Sequence, residues 1–203
     1  MPDVGLSRRQ RALKRSLDLI VSIPGLIIAS PVILAAVLIA TVDTRAWGIF
    51  SQTRIGKDGV PFRVHKVRTM RVIDSVSTTV TSSADRRVTR TGRVLRRFKL
   101  DELPQLYDVV RGRMSLVGPR PDVPGFADLL EGDDRVVLSV RPGITGPATL
   151  AYRNEEELLA SVDDPERYNR SVIWPDKVRI NRDYISGWSL LGDLRYIART
   201  VRG

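Results

Sequence analysis

A mostly helical α+β fold, held at a membrane by an N-terminal helix, is what this sequence predicts, from three observations. Residues Leu19 to Val42 carry no charge, and a run of about 24 residues is long enough as a helix to cross roughly 30 Å of hydrocarbon. After Asp43 the composition turns globular, with short strand-like and helical stretches and no internal repeat. Lys and Arg number 33 against 23 Asp and Glu in 203 residues, a formal charge of +10. That balance calls for anionic partners: nucleic acid, nucleotide-like molecules or an acidic membrane surface. Residues 1–43 are therefore read as a basic N-terminus with a membrane helix, and 44–203 as one further domain.

The apolar run is too long for the h-region of a signal peptide and has no small-x-small cleavage site, so it reads as a retained segment. Arg8, Arg9, Arg11, Lys14 and Arg15 precede it, and Arg54, Lys57, Arg63, Lys66, Arg68 and Arg71 follow it. Both flanks thus ask for the cytoplasmic side. A helix that enters and leaves the same face satisfies both, and Ser30-Pro31 supplies a mid-run break, with Pro24-Gly25 half a helix earlier. A hydroxyl such as that of Ser30 can satisfy the carbonyl a proline frees. A kinked spanning helix is the alternative.

In the globular part, residues 47–59 hold two glycine turns between short apolar stretches, and Val60 to Met70 alternates weakly, as a strand or hairpin arm does. Residues 72–92 are rich in Ser, Thr, Arg and Asp and read as a surface loop. Helical patterns follow at 93–99, 101–112, 122–130 and 155–162. From Ser189, Leu190, Leu191, Leu194, Ile197 and Val201 recur at spacings of three and four opposite Arg195, Arg199 and Arg202. With Trp174 and Trp188 nearby, this last helix suits a headgroup plane, or else packs its stripe on the core.

With no cysteine, disulfides and thiolate metal sites are excluded; with one histidine, His65, so is a multi-histidine centre. A metal here would be a hard cation on oxygen ligands, which favours Mg²⁺ over Zn²⁺. The stretch 96–121 carries the chemistry. Asp101 and Glu102 lie side by side among many Arg and Lys, and Gly118-Pro119-Arg120-Pro121 follows as a rigid turn that aims one Arg. Because Pro104 has no N–H, a helix containing it should begin just upstream, with Asp101 near its N-cap. Two uses of that carboxylate stay open: a cap with a favourable dipole interaction, or a nucleophile toward phosphorus in a basic pocket.

These residues resemble those of the bacterial sugar transferase family, the monotopic polyprenyl-phosphate phosphoglycosyl transferases. The matching pieces run in order: Lys14-Arg15-Ser-Leu-Asp18, Ser30-Pro31, Gln52-Thr-Arg-Ile-Gly56, His65-Lys66-Val-Arg-Thr-Met70, Leu100-Asp101-Glu102-Leu-Pro-Gln-Leu106, Met114-Ser-Leu-Val-Gly-Pro-Arg-Pro121 and Arg141-Pro-Gly-Ile-Thr-Gly146. The resemblance implies an enzyme with a re-entrant helix broken at Ser30-Pro31, a small catalytic domain on the cytoplasmic face of the bacterial inner membrane, and interfacial amphipathic helices. Its reaction would move a sugar 1-phosphate from a UDP-sugar to undecaprenyl (polyprenyl) phosphate and release UMP, the first membrane step of polysaccharide or glycoconjugate biosynthesis. Asp101 would be the nucleophile and Glu102 its assistant, both near Mg²⁺, with Lys66, Arg96 and the Pro119-Arg120-Pro121 turn around the phosphates. After Gly146 the chain reads Pro147-Ala-Thr-Leu-Ala-Tyr-Arg-Asn-Glu-Glu156 where many members carry Trp-Ala-Gln-Val-Asn-Gly-Arg, so the sugar is not read. A membrane-tethered nucleic-acid-binding module is the rival from another class, but aromatic residues make up only 6% and no nucleic-acid fold signature occurs, so no nucleic-acid partner is expected. Glycosyl transfer without the phosphate would release UDP instead. Oligomeric state is left open.

Overall fold

The computed structural model describes residues 5–71 and 87–202; most of the loop expected at 72–92 lies outside them. The first element, α1, spans Arg8–Thr44 without interruption. Ser7 opens it with a reciprocal cap: its hydroxyl accepts from the Gln10 N–H while the Gln10 side chain accepts from the Ser7 N–H. Pro24 and Pro31 both lie inside the helix. The Ser30 hydroxyl donates to the Ile27 carbonyl at 2.7 Å, which is the carbonyl Pro31 leaves without an N–H.

One stripe of α1 is covered along most of its length. Lys14, Asp18 and Ser22 are buried near the start, and Ala36, Val37, Ala40 and Thr44 near the end. Between them Gly25 lies under the Leu106 side chain, whose Cδ1 would stand 3.7 Å from a Cβ there. The other faces stay bare: Ile20 is 71% exposed, Ile28 78% and Val42 80%.

The sequence Lys14-Arg15-Ser-Leu-Asp18 locks the start of α1 to the domain. The Lys14 ammonium donates to Asp193 Oδ2 at 2.6 Å and to Tyr184 Oη at 3.1 Å. The Arg15 guanidinium donates to the carbonyls of Val109 and Val110 at 2.6 and 2.9 Å, at the C-terminal end of the helix Gln105–Val110. Asp18 accepts from Ser115 Oγ and the Leu116 N–H, each at 2.9 Å. Near its other end Ala36, Val37 and Ala40 pack with Val67 and Leu95.

After α1, β1 (Ile49–Ile55) and β2 (Pro61–Val67) form an antiparallel hairpin that pairs Ser51 with His65 and Arg54 with Phe62. The expected strand is thus one arm of a hairpin that begins earlier. Val64 enters the main core with Val109, Met114 and Val117, whereas Val67 packs under α1. Helix α2 is Arg90–Arg97, capped by the Thr89 hydroxyl, which accepts from the Gly92 N–H at 2.8 Å. Residues 90–92, expected in the loop, therefore belong to a helix. A 3-10 turn, Leu100–Glu102, leads to α3 (Gln105–Val110).

Two three-residue strands, β3 (Ser115–Val117) and β4 (Gly143–Thr145), pair in parallel; nothing in the sequence pattern announced them. The helix expected over 122–130 is extended chain with a 3-10 turn at Ala127–Leu129, followed by a 3-10 stretch at Gly132–Ser139. The remaining α-helices are α4 (Pro147–Ala151), α5 (Glu155–Ala160), α6 (Pro165–Tyr168), α7 (Trp174–Ser186) and α8 (Leu190–Arg202), with a π-helical turn at Asn169–Ile173 joining α6 to α7.

In α8 the expected stripe divides. Leu190 and Ile197 pack on the main core, while Leu191 is 66% and Val201 82% exposed. The inward face is centred on Asp193, fully buried and bonded by Lys14, Tyr184 and Trp188. Trp188, expected at an interface, is in the core with its indole N–H on Asp193 at 3.0 Å, and Trp174 stands edge-on to Phe126. Trp47, just past the end of α1, is the exposed tryptophan.

Candidate active site

Glu102 is the hub. Its Oε1 accepts from Lys66 Nζ at 2.8 Å and from Arg120 Nη2 at 2.7 Å. β2 brings Lys66, the turn after α2 brings Glu102, and the segment after β3 brings Arg120. Burial alone would push the Glu102 carboxyl up, but the charges of Arg120 and Lys66 outweigh it and hold the group far below the usual carboxylate range. The same contact raises Arg120. Lys66 is lowered, by burial and then by the nearby Arg120 charge.

Asp101 differs from its neighbour. It is 8% exposed, and among the described residues no cation lies within 4.0 Å of its carboxylate. Burial, followed by the adjacent Glu102 charge, raises its pKa; the charges of Lys66 and Arg96 oppose that. The expectation that Asp101 caps a helix is corrected. α3 starts at Gln105 with Pro104 at its N-cap and no side-chain cap, while Asp101 sits within the preceding 3-10 turn. Lys99, at φ 53°, takes the left-handed conformation and ends the run from α2, and Pro104, which has no N–H, stands between the Asp101 turn and α3. Serving no N–H of α3, the Asp101 carboxylate accepts locally from its own backbone N–H and keeps its other lone pairs for a partner.

Arg120 is aimed by backbone packing on both sides of its loop. On one side the Gly118 N–H donates to the Thr145 carbonyl at 2.9 Å, and the Pro119 carbonyl accepts from Gly143 at 2.8 Å. Gly118, Gly143 and Gly146 meet so closely that a Cβ on Gly143 would stand 2.2 Å from the Gly118 nitrogen. On the other side Arg54 Nη1 donates to the Pro121 carbonyl at 3.1 Å, and the Ile55 N–H to the Asp122 carbonyl at 2.9 Å. Pro119 and Pro121 are buried and Arg120 projects between them. Arg96 stands off: its Nε donates to Thr69 Oγ1 at 3.0 Å, and only its charge reaches Asp101. Ser30 and Pro31 lie on an exposed part of α1 and take no part in this constellation.

The sequence reading missed Arg54, Asp122 and the pair of His65 with Asp108. Arg54 shares a strand face with Gln52, a period-2 signal that could have flagged it. Asp122 is pushed up to about 6 by burial. Asp108 is fully buried and accepts from the His65 N–H at 3.0 Å, with His65 Nδ1 2.8 Å from its other oxygen; 43 residues separate them, so no local pattern reveals the contact.

Mg²⁺ fits the donor set in a limited way. Among the described residues no group of three His, Cys, Asp or Glu could form a cage. Mg²⁺, however, is commonly held by one or two carboxylates with water and substrate phosphates. Asp101 has no cation partner among the described residues, and Glu102 spends Oε1 on its two cations; these two carboxylates are the residues that could hold it.

The comparisons with known proteins cover the stretch that holds these residues. The family model described as "Bacterial sugar transferase" matches residues 9–203. This chain belongs to the bacterial sugar transferase family. A relative from Escherichia coli (strain K12), UDP-glucose:undecaprenyl-phosphate glucose-1-phosphate transferase, is 36% identical over 98% of this chain and 41% of its own length. A Caulobacter vibrioides protein of the same name is 35% identical over 93% of this chain and 68% of its own. An Aeromonas hydrophila relative, UDP-N-acetylgalactosamine-undecaprenyl-phosphate N-acetylgalactosaminephosphotransferase, is 31% identical over 94% of the chain and 43% of its own length. The chain thus spans about two fifths of two of these relatives. The names also divide between glucose and N-acetylgalactosamine.

Proposed function

We propose that this family member is a phosphoglycosyl transferase that moves a sugar 1-phosphate from a UDP-sugar to undecaprenyl phosphate and releases UMP. The observation that carries the reading is a buried Asp101, with no cation within 4.0 Å among the described residues, beside a Glu102 clamped by Lys66 and Arg120. Glu102 stays ionised and fixes two cations at the place where a diphosphate would lie. Asp101 is the carboxylate left to react.

In the first step an Asp101 oxygen attacks the phosphorus that bears the sugar, and the bond from that phosphorus to the bridging oxygen breaks. UMP departs with the electron pair, leaving a phospho-sugar on Asp101. Lys66 and Arg120 offset the negative charge that would otherwise repel the carboxylate and hold the diphosphate in line. In the second step a phosphate oxygen of undecaprenyl phosphate attacks the same phosphorus and frees the Asp101 carboxylate, giving a lipid diphosphate sugar. Mg²⁺, held by Asp101 and Glu102 with the substrate phosphates, would supply further charge neutralisation.

The lipid phosphate stays at headgroup height, so the site must lie there, and the re-entrant reading of α1 suits this. A 37-residue helix is about 55 Å long. As a simple span it would put its ends on opposite sides of roughly 30 Å of hydrocarbon. Here Lys14, Arg15 and Asp18 near one end, and Ala36, Val37 and Ala40 near the other, all pack on one domain. That supports an anchor that enters and leaves by the cytoplasmic face. Exposed aromatics topped by arginines suit the interface too: Phe50 under Arg68 at 5.4 Å, Phe98 under Arg97 at 5.8 Å, Tyr107 under Arg111 at 5.9 Å.

A nucleotide-release assay over a panel of UDP-sugars, with undecaprenyl phosphate and Mg²⁺, tests the reading. UMP and an intact-protein mass increase equal to the sugar phosphate are expected. Release of UDP, or product accumulating without any adduct on Asp101, overturns it.

A further inference from the structure

We propose that Arg54 is a positioning residue for Arg120, holding the Pro119-Arg120-Pro121 turn from the β1 side so that the Arg120 guanidinium stays on Glu102 and faces the donor diphosphate. The inference rests on Arg120 binding phosphate as argued above.

Gln52 and Arg54 lie two residues apart on β1 and therefore share a face. Gln52 Oε1 accepts from Arg54 Nη2 at 2.7 Å, and Arg54 Nη1 reaches the Pro121 carbonyl at 3.1 Å. One planar group thus ties the strand to the turn by two hydrogen bonds of fixed geometry. The Ile55 N–H on the Asp122 carbonyl adds a backbone tie one residue on. Together with Gly143 and Thr145 on the opposite side, these contacts grip the turn from both flanks.

Stability alone gives a poor reason for an arginine here. Arg54 is partly buried, and among the described residues no carboxylate lies within 4.0 Å of it. It also shares its surroundings with Arg120; burial first, and that charge second, lower its pKa, against the opposing charges of Asp122 and Glu102. A neutral donor could make the hydrogen bond to Pro121 at less electrostatic cost. What an arginine adds is two simultaneous bonds in one plane, which fixes the turn's orientation as well as its position.

The test is a double-mutant cycle on UMP release at saturating undecaprenyl phosphate. Arg54→Lys keeps the charge but loses the paired geometry, and Arg54→Gln removes both. Each is expected to lower kcat about tenfold to hundredfold, with KM for the UDP-sugar within about threefold of wild type. In an Arg120→Gln background the same changes should cost less than about threefold, because the residue they position is already gone. Gln52→Ala, which removes only the bond on the strand side, should give a smaller kcat loss of the same kind, and serves where an Arg54 variant melts below the assay temperature. The proposal is overturned if Arg54→Lys keeps wild-type kcat, if KM rises with kcat unchanged, or if the full loss recurs in the Arg120→Gln background. Wild-type protein that releases no UMP from any UDP-sugar sinks the proposed function instead, so the two failures are distinguishable.

Discussion

Asp193→Ala should be among the most destabilising single changes in this chain, although Asp193 lies far in sequence from the reactive pair. Its side chain is fully buried and accepts from Lys14 Nζ at 2.6 Å, Tyr184 Oη at 2.8 Å and Trp188 Nε1 at 3.0 Å. Lys14, with 7% of its side chain exposed, would be left as a buried ammonium with the Tyr184 oxygen as its hydrogen-bond partner and only the more distant charge of Asp18 to offset it. Removing one partner of a buried pair costs about 3–5 kcal/mol. At about 2–4 °C per kcal/mol for a chain of this size, the melting point should fall by about 6–20 °C. The assay is thermal unfolding of the detergent-solubilised or nanodisc-held protein, read by intrinsic tryptophan fluorescence. Lys14→Met combined with Asp193→Leu removes both charges and should recover about half of the loss, the remainder reflecting Tyr184 and Trp188 left without their acceptor. A single variant melting within about 2 °C of wild type, or a double variant no better than the single, would refute the reasoning.

Asp101→Asn should abolish the phospho-sugar adduct and turnover while the protein still folds and binds membrane. Because burial raises the Asp101 pKa above its unfolded value, ionised Asp101 disfavours the folded state at neutral pH. Asp101→Asn should therefore melt slightly higher than wild type near pH 7, and that gain should vanish as pH falls below the ordinary carboxylate range; a gain that persists in acid contradicts the assignment. Glu102→Gln should cut kcat severely, about a hundredfold or more, since Lys66 and Arg120 lose the negative charge of their shared acceptor and one amide N–H₂ now faces them; normal kinetics would remove Glu102 from the site. Gly143→Ala must push Cβ into the Gly118 nitrogen and the Thr145 carbonyl oxygen, so a loss of about 1–3 kcal/mol in denaturant titration is expected, with reduced UMP release. Cysteines placed at Gly5 and Val60 should label from the same, cytoplasmic, side of sealed vesicles; labelling from opposite sides ends the re-entrant proposal.

Local pattern carried the long elements well. The charge-free run appears as part of α1, the alternation after Val60 as β2, and the apolar periodicity after Ser189 as α8. It failed where a contact from elsewhere in the chain sets the conformation. β3 and β4 are three residues each and exist because Gly118, Gly143 and Gly146 let two backbones touch. Asp101 looked like a helix cap because Pro104 suggested an upstream start; the left-handed Lys99 cuts it off from α2, and α3 begins only after Pro104, which has no N–H to continue the ladder back to Asp101.

The order of residues along the chain determined by itself that one segment is apolar enough for lipid, that cations outnumber acids, and that Asp101, Glu102 and Arg120 belong to a recognisable set, because those properties depend on residue type and spacing alone. Tertiary structure decided which carboxylate is clamped and which is left free. It also decided that Lys14 and Asp193 meet across 179 residues and that Arg54 reaches behind Arg120. Those outcomes depend on burial and on charge at distances of a few ångströms, and chain order does not encode such distances between segments far apart in sequence.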